Sequence, residues 1–68
     1  MQEAKTEWPE LVNRNVEEAE QTIRQENPNV QVHRVPQDSM VTMDWREDRV
    51  RVFYDENNNQ VVRTPRVG

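Results

Sequence analysis

The segment VTMDWREDRVRVFYD, residues 41–55, joins an apolar run to a charged, alternating strand. From residue 49 onward the side chains alternate between two faces, as in a β-strand that turns one face to the core. One face carries Val50, Val52 and Tyr54, and the other carries Arg49, Arg51, Phe53 and Asp55. Such a strand packs its apolar face against the core and leaves two arginines to reach the loop that precedes it.

The size and composition of the chain limit what it can be. Its 68 residues make one domain at most, and a chain this short has a thin core. We therefore expect a single domain over residues 1–68. The absence of cysteine excludes a disulfide framework, a thiol nucleophile and a cysteine-ligated metal site. Apolar residues make up 32% of the chain, but they are clustered and periodic, which favours a folded domain over disorder.

The charge pattern and the short apolar runs bear on possible partners. Residues 30–68 contain six acids and six bases, and all six bases are arginine. This balance, with a net charge of −4 for the whole chain, disfavours nucleic-acid binding. No apolar run approaches the ~20 residues of a membrane span, and the N-terminus lacks a signal-peptide pattern. We therefore expect no membrane partner, and the compartment stays open.

A helix is predicted to begin after Asn15. Asn15 is a favourable N-cap, and Glu18 stands where a capping-box partner would. Apolar residues at positions 16, 19 and 23 then form one narrow stripe, and Asn27-Pro28 ends the helix. The pattern indicates a helix of about three turns that packs on one side only.

The remaining elements complete an α+β fold with one helix on one face of a small sheet. A strand is predicted over residues 30–35, with Val30 and Val32 inward and Pro36 at its end. A turn at residues 57–59 leads to a short last strand that starts at residues 61–62 and ends at residues 64–65. Trp8, within the apolar cluster WPELV (residues 8–12), is predicted to anchor the core, whereas residues 1–7 are predicted to be loosely held.

The connection over residues 37–46 has no helix or turn pattern. A connection this long in so small a domain is either a plain crossover or a functional loop. Thr42 and Asp44 flank Met43 and offer oxygen acceptors, while Arg49 and Arg51 offer forked donors. Hydrogen bonds between these pairs would brace the segment from below and leave Met43 pointing outward, which favours a side chain presented to a partner.

Catalytic and metal-binding sites are disfavoured. The only histidine, His33, lies in a predicted strand without a serine or cysteine partner, so a solvent-facing strand residue is the better interpretation. Asp44, Glu47 and Asp48 are close in sequence, but arginines at positions 46, 49 and 51 indicate an ion-pair network rather than a metal site. The only glycine is Gly68, so there is no glycine-rich phosphate loop. We expect neither enzyme activity nor a cofactor.

Five motifs occur in order from about residue 5 to the end of the chain. They are WPELV (8–12), VEEA (16–19), VTMD (41–44), DRVRVF (48–53) and PRVG (65–68). Each is weak alone, but in this order and spacing they resemble the potato inhibitor I family of serine protease inhibitors. The resemblance implies one helix on a small mixed sheet, with a long extended protease-binding loop between two parallel strands and no disulfides.

The resemblance also assigns roles to residues of this chain. It implies a protease-binding loop formed by Ser39, Met40, Val41, Thr42, Met43, Asp44, Trp45 and Arg46. The bond between Met43 and Asp44 would be the reactive bond, and residues 40–42 would lie along the enzyme as an added strand. Support for the loop would come from Arg49, Arg51, Phe53 and Gly68. Phe53 would pack under the loop with Val35 and Val41 as a second small core.

The expected targets follow from Met43. A flexible, unbranched apolar side chain suits subtilisin-like, chymotrypsin-like and larger elastase-type pockets, whereas trypsin needs a cation and should be inhibited poorly. The inhibitor would act as a monomer. Four residues depart from the family pattern: His33 and Arg34 replace apolar residues, and Asn13 and Asp38 stand where glycine is common. The alternative is a non-inhibitory protein-binding module, or an engineered folding scaffold of the same fold.

Overall fold

The computed structural model describes residues 5–68 and contains one α-helix and four short strands. The helix α1 spans Val16–Glu26, and the strands are β1 (Gln31–Pro36), β2 (Arg49–Asp55), β3 (Gln60–Val61) and β4 (Arg66–Val67). Strand β2 is central: β1 pairs with it in parallel, and β3 and β4 pair with it antiparallel. The predicted α+β fold, with one helix on a small mixed sheet, is therefore confirmed.

The helix begins and ends where its sequence indicates. The side chain of Asn15 accepts hydrogen bonds from the backbone N–H groups of Glu17 and Glu18, at 2.9 and 3.3 Å. The reciprocal bond of a capping box, from the Asn15 N–H to the Glu18 carboxylate, does not occur. The start of the helix lies against β3, where hydrogen bonds from the Val16 N–H to the Asn59 carbonyl and from the Val61 N–H to the Arg14 carbonyl make an isolated bridge between Asn15 and Gln60.

The core lies between α1 and one face of the sheet. Trp8 is fully buried, as predicted, and its indole N–H donates to the Glu26 carboxylate at 3.1 Å. Val16, Ala19 and Ile23 turn the apolar stripe of α1 onto Val50 and Val52 of β2. The nine buried residues of this core are Trp8, Leu11, Val16, Ala19, Ile23, Val30, Val50, Val52 and Val61.

Two predictions about the strands need correction. Val30 is buried but precedes β1, which starts at Gln31 and includes Pro36. Strand β3 is not the last strand, since β4 follows it and pairs with β2 through Val50 and Arg51. The segment between β3 and β4 stays attached to the core because Pro65 is fully buried and its carbonyl accepts from the Trp8 N–H at 3.0 Å. A one-turn 3₁₀ helix at Pro9–Leu11 was also not predicted.

The segment before Trp8 is more firmly held than predicted. Residues 1–4 lie outside the described part, so that portion of the prediction stays open. Lys5 pairs with the carboxylates of Glu10 and Glu26, and its carbonyl accepts from Asn27. The Thr6 carbonyl accepts from the Val67 N–H at 2.9 Å, which ties the segment to β4.

The departures from the family pattern have structural consequences. Asn13 has a φ of 71°, so glycine is the natural residue there and asparagine is the tolerated substitute. Asp38 is not among the residues with positive φ, so it introduces no such strain. Arg34 in β1 pairs with Glu20 of α1 at 2.7 Å, and His33 is exposed. Within residues 5–68 no helix is long and apolar enough to cross a membrane.

Candidate functional site

The connection between β1 and β2 is an exposed segment. Every residue from 37 to 47 is exposed, including the eight predicted loop residues 39–46. Met40 and Met43 have exposed fractions of 98% and 97%, and Trp45 of 69%. A single exposed apolar side chain is ordinary, but four within residues 40–45 give this segment the character of a binding site.

The two ends of the loop are held by backbone–backbone hydrogen bonds, whereas the residues between them form none within residues 5–68. Contrary to the prediction of no turn, a turn at residues 37–38 begins the loop, with the Ser39 N–H donating to the Pro36 carbonyl at 2.9 Å. At the far end the Asp48 carbonyl accepts from the Gln31 N–H at 2.7 Å. Between these points, residues 40–46 make no backbone–backbone hydrogen bond within the described chain. Apart from the carbonyls of Thr42 and Asp44, which accept from arginine side chains, their peptide groups can therefore pair with a strand of another protein.

Arg51 holds the residue before Met43. Its guanidinium donates to the Thr42 carbonyl at 3.0 Å and to the Thr42 hydroxyl at 2.8 Å. The side chain of Arg51 is only 18% exposed, so the donors are fixed against the sheet and lose little freedom in making these bonds. Strand β2 thus fixes both the main chain and the side chain of Thr42.

Arg49 holds the residue after Met43 and the end of the chain at once. It donates to the Asp44 carbonyl at 2.6 Å, to the Asp44 carboxylate at 3.2 Å and to the Gly68 carbonyl at 2.8 Å. The Gly68 N–H in turn donates to the Arg49 carbonyl at 2.8 Å, which continues the pairing of β4 with β2. The predicted contacts of both arginines are therefore present, and Met43 lies between two fixed residues.

The hydrogen bonds from Arg49 and Arg51 to Thr42 and Asp44 are called the brace below. The charges in the brace favour an ionised Asp44. A hydrogen bond from the Thr42 side chain and the nearby Arg49 guanidinium lower the pKa of Asp44 below its ordinary value of 3.8. Arg51 adds a second cation, 3.8 Å from the other carboxylate oxygen. Asp44 is half exposed, so water screens these interactions, and their main effect is on geometry rather than on stability.

The predicted ion-pair network extends only partly beyond the brace. Arg46 forms a forked pair with Asp48, with both N···O distances at 3.1 Å. Glu47 was included in the predicted network, but it forms no ion pair within residues 5–68. No group of three histidine, aspartate or glutamate residues in the same part of the chain is arranged to hold a metal ion.

Two aromatic contacts refine the predicted support. Phe53 lies opposite Val35 in the parallel register, and the Arg63 guanidinium stands over its ring at 4.5 Å. Val41 remains 37% exposed, so the predicted second core of three residues is incomplete. Trp45 was predicted only as a loop residue, yet its indole lies against Gly68: a Cβ added there would meet the ring at 3.3 Å. Nothing in the local sequence signals this contact between residues 23 positions apart.

Comparisons with known proteins identify the family of this chain. The model of the potato inhibitor I family matches residues 1–68. Subtilisin inhibitor 1 of Phaseolus angularis is 48% identical over 64 residues, which cover 94% of this chain and 68% of that protein. Eglin C of Hirudo medicinalis is 39% identical over 61 residues, 90% of this chain and 87% of that protein.

Solved structures give the same result for the fold. The crystal structure of bitter gourd trypsin inhibitor has a TM-score of 0.92 at 38% identity and covers 97% of this chain and 96% of its own. The solution structure of Cucurbita maxima trypsin inhibitor V has a TM-score of 0.72 at 35% identity, with coverages of 96% and 94%. The match of the family model over residues 1–68, the identity with these relatives and the shared fold show that this chain belongs to the potato inhibitor I family.

Proposed function

We propose that this chain inhibits serine endopeptidases by presenting residues 39–46 as a substrate-like loop with Met43–Asp44 as the reactive bond. Similar proteins are named as inhibitors of subtilisin and chymotrypsin, such as the subtilisin inhibitor of Canavalia lineata and the chymotrypsin inhibitor of Lumbricus terrestris. These names support the class of target. The position of the bond is our own assignment from the geometry of the loop.

One observation carries the assignment. Arg49 and Arg51 stand two residues apart on β2 and together donate four hydrogen bonds to the two residues that flank Met43. Thr42 lies on the acyl side of the proposed bond and Asp44 on the amine side, so one rigid strand fixes both sides. A loop that merely crossed between two strands would not need such symmetrical support around one exposed side chain.

Binding to the enzyme follows from the pre-shaped loop. Met43, which projects into solvent, would enter the primary specificity pocket, and residues 40–42 would pair with the enzyme as an added strand. Because the arginines have already restricted the loop, little conformational entropy is lost when the complex forms. The buried methionine and the main-chain pairing then contribute almost their full interaction energy to affinity.

The same brace explains why cleavage would be unproductive. The enzyme's serine attacks the Met43 carbonyl and the amino group of Asp44 becomes the leaving group. Arg49 still holds Asp44 and Arg51 still holds Thr42, so this amine remains beside the acyl group. Re-formation of the peptide bond then competes with hydrolysis, and the enzyme is occupied by a nearly reversible step.

The finer preference depends on the side chain at position 43. An unbranched apolar side chain suits subtilisin-like and chymotrypsin-like pockets and larger elastase-type pockets, and it lacks the cation that a trypsin pocket requires. Two solved structures of this fold belong to proteins named as trypsin inhibitors. The scaffold therefore does not select the enzyme by itself, and we assign the choice to Met43 in a monomeric inhibitor.

The experiment is a titration of chymotrypsin, subtilisin and trypsin with the wild-type protein and two variants. Met43→Lys should inhibit trypsin at least tenfold more strongly than the wild type does, and it should inhibit chymotrypsin more weakly. Met40→Lys is the matched control, because Met40 is equally exposed but lies outside the proposed bond. No stoichiometric inhibition of any serine endopeptidase by the wild type would favour a non-inhibitory binding module. Equal effects of the two variants would contradict the assignment of the bond.

A further inference from the structure

We propose that Met43 is an oxidation site through which peroxides weaken the inhibitor. The proposal rests on the proposed function, because it takes Met43 to be the side chain that enters the primary pocket. The sequence contains three methionines and no cysteine, so no thiol competes for an oxidant. Met40 and Met43, the two methionines in the described part of the chain, are almost fully exposed. Exposure makes a methionine susceptible to oxidation, so both thioethers are open to attack.

The reaction needs only a peroxide. The thioether sulfur donates an electron pair to one peroxide oxygen as the O–O bond breaks, and a new S–O bond forms. The sulfur is oxidised to a sulfoxide, and the proton of the transferred oxygen passes to the second peroxide oxygen, which leaves as water, or as an alcohol when the peroxide is organic. The flexible apolar side chain becomes polar and chiral, and methionine sulfoxide reductases can reverse the change.

The consequence differs between the two methionines. A sulfoxide at position 43 would carry a strong hydrogen-bond acceptor into an apolar pocket, where it has to give up its water. We expect inhibition of chymotrypsin and subtilisin to weaken by roughly tenfold to a hundredfold, given the cost of burying an unpaired polar group. A sulfoxide at position 40 would stay outside the primary pocket and would leave the main-chain pairing of residues 40–42 with the enzyme unchanged, so inhibition should change by less than about threefold.

The scaffold should tolerate the modification. The four brace bonds reach Thr42 and Asp44 and none involves the side chain of Met43. Neither Met40 nor Met43 belongs to the core between α1 and the sheet. Oxidation should therefore change the contact with the enzyme while the unfolding transition stays where it was.

The test uses the whole chain, treated with dilute hydrogen peroxide, with peptide mass mapping to locate each added oxygen. Wild type, Met40→Leu and Met43→Leu are each compared with their own untreated sample, so different starting affinities do not matter. We expect oxidation to weaken inhibition in wild type and Met40→Leu but not in Met43→Leu, and a methionine sulfoxide reductase to restore it. Urea unfolding of each sample checks that the fold is retained.

The outcomes separate this inference from the proposed function. If the untreated protein does not inhibit, the proposed function fails. If the untreated protein inhibits and the protein oxidised at Met43 inhibits equally well, only the oxidation site is refuted. Loss of inhibition in oxidised Met43→Leu would assign the effect to another residue and would also overturn the inference.

Discussion

One face of β2 stabilises the core of the fold, and the other face holds the loop between β1 and β2. Towards the helix, Val50 and Val52 are fully buried in the core. Towards the loop, Arg49 and Arg51 make directional, charge-assisted hydrogen bonds to residues that are themselves exposed. Burial of apolar surface is non-directional and dominates the free energy of folding. Hydrogen bonds at an exposed loop add little to that free energy, but they fix positions and angles.

This contrast separates folding from inhibition within one strand. A change on the helix face should lower the free energy of unfolding and leave the shape of the loop intact in the molecules that remain folded. A change on the loop face should leave the core intact and release the loop. Because both faces alternate along the same seven residues of β2, the separation can be tested with single substitutions.

The largest expected effect is in the core that the helix face of β2 shares with α1. Ile23→Ala removes a fully buried side chain of α1 and leaves a cavity, which should lower the free energy of unfolding by about 2–5 kcal/mol. Urea unfolding measures this loss, and Gln25→Ala, exposed on the same helix, should change it by less than about 0.5 kcal/mol. At temperatures where Ile23→Ala is still folded, its rate of cleavage by chymotrypsin should equal that of wild type. Faster cleavage of the folded variant would show that the two faces are coupled.

The second effect is on the loop face. Arg51→Ala removes both bonds to Thr42 and should convert the protein from inhibitor towards substrate, with cleavage at Met43–Asp44 at least tenfold faster. The free energy of unfolding should fall by only about 1 kcal/mol, since water replaces the lost partner at the exposed loop. Mass spectrometry of the products over time gives the cleavage rate and the position.

The matched control for Arg51→Ala is Arg24→Ala. Arg24 is exposed on α1, far in sequence from the loop, so its removal deletes the same charge and a similar volume. Unchanged cleavage in Arg51→Ala, or equal acceleration in both variants, would mean that the guanidinium contacts with Thr42 are surface interactions without a role in holding the loop.

Most of this contrast between the two faces of β2 could be predicted from the sequence, because the periodic spacing of apolar residues indicates the elements and their faces. Alternation predicted β2 with its observed bounds and assigned its two faces, and the N-cap and the proline predicted α1. The brace was predicted from residue types. Arg49 and Arg51 are forked donors two positions apart, and they suit oxygen acceptors on the two residues that flank Met43. The link from Arg49 to Gly68 came from the family resemblance rather than from these patterns.

What the sequence did not predict depends on contacts between distant residues. Strand β4 has two residues, too few for any periodicity, and it exists because β2 offers it an edge. The Arg34–Glu20 pair and the contact of Trp45 with Gly68 arise only when separate elements are brought together. Val41 shows the converse: its residue type favours burial, but it lies in the exposed connection between β1 and β2 and remains 37% exposed.

A smaller effect sharpens the contrast at the start of the helix. Asn15→Ala deletes the acceptor for the Glu17 and Glu18 N–H groups and should lower the free energy of unfolding by about 1 kcal/mol. This loss is similar to that expected for Arg51→Ala, yet inhibition and cleavage at Met43–Asp44 should not change. If Asn15→Ala and Arg51→Ala lose the same stability but only Arg51→Ala is cleaved faster, the rigidity of the loop controls cleavage independently of the stability of the fold. If Asn15→Ala is cleaved as fast as Arg51→Ala, stability alone controls cleavage.

The smallest effect is the pH dependence that Asp44 contributes. Its pKa is lowered in the folded protein, chiefly by the Thr42 hydrogen bond and then by Arg49, so the unfolded chain takes up this proton first. The stabilisation is therefore complete above the ordinary value of 3.8 and is lost as the pH falls below it, through the lower pKa of the folded state. Urea unfolding of wild type and Asp44→Asn from pH 2 to 6 should show a stability difference that is constant at the upper end and narrows below about pH 4.

Glu10→Gln is the control for Asp44→Asn, because a hydrogen bond from Lys5 lowers the pKa of Glu10 as well, but far from the loop. Both variants should lose a small pH-dependent part of the stability of the fold. Only Asp44→Asn should accelerate cleavage at neutral pH, because its neutral side chain binds Arg49 less strongly. Equal cleavage of the two variants would show that the charge of Asp44 acts on stability alone, and that the carbonyl bonds of Thr42 and Asp44 suffice to hold the loop.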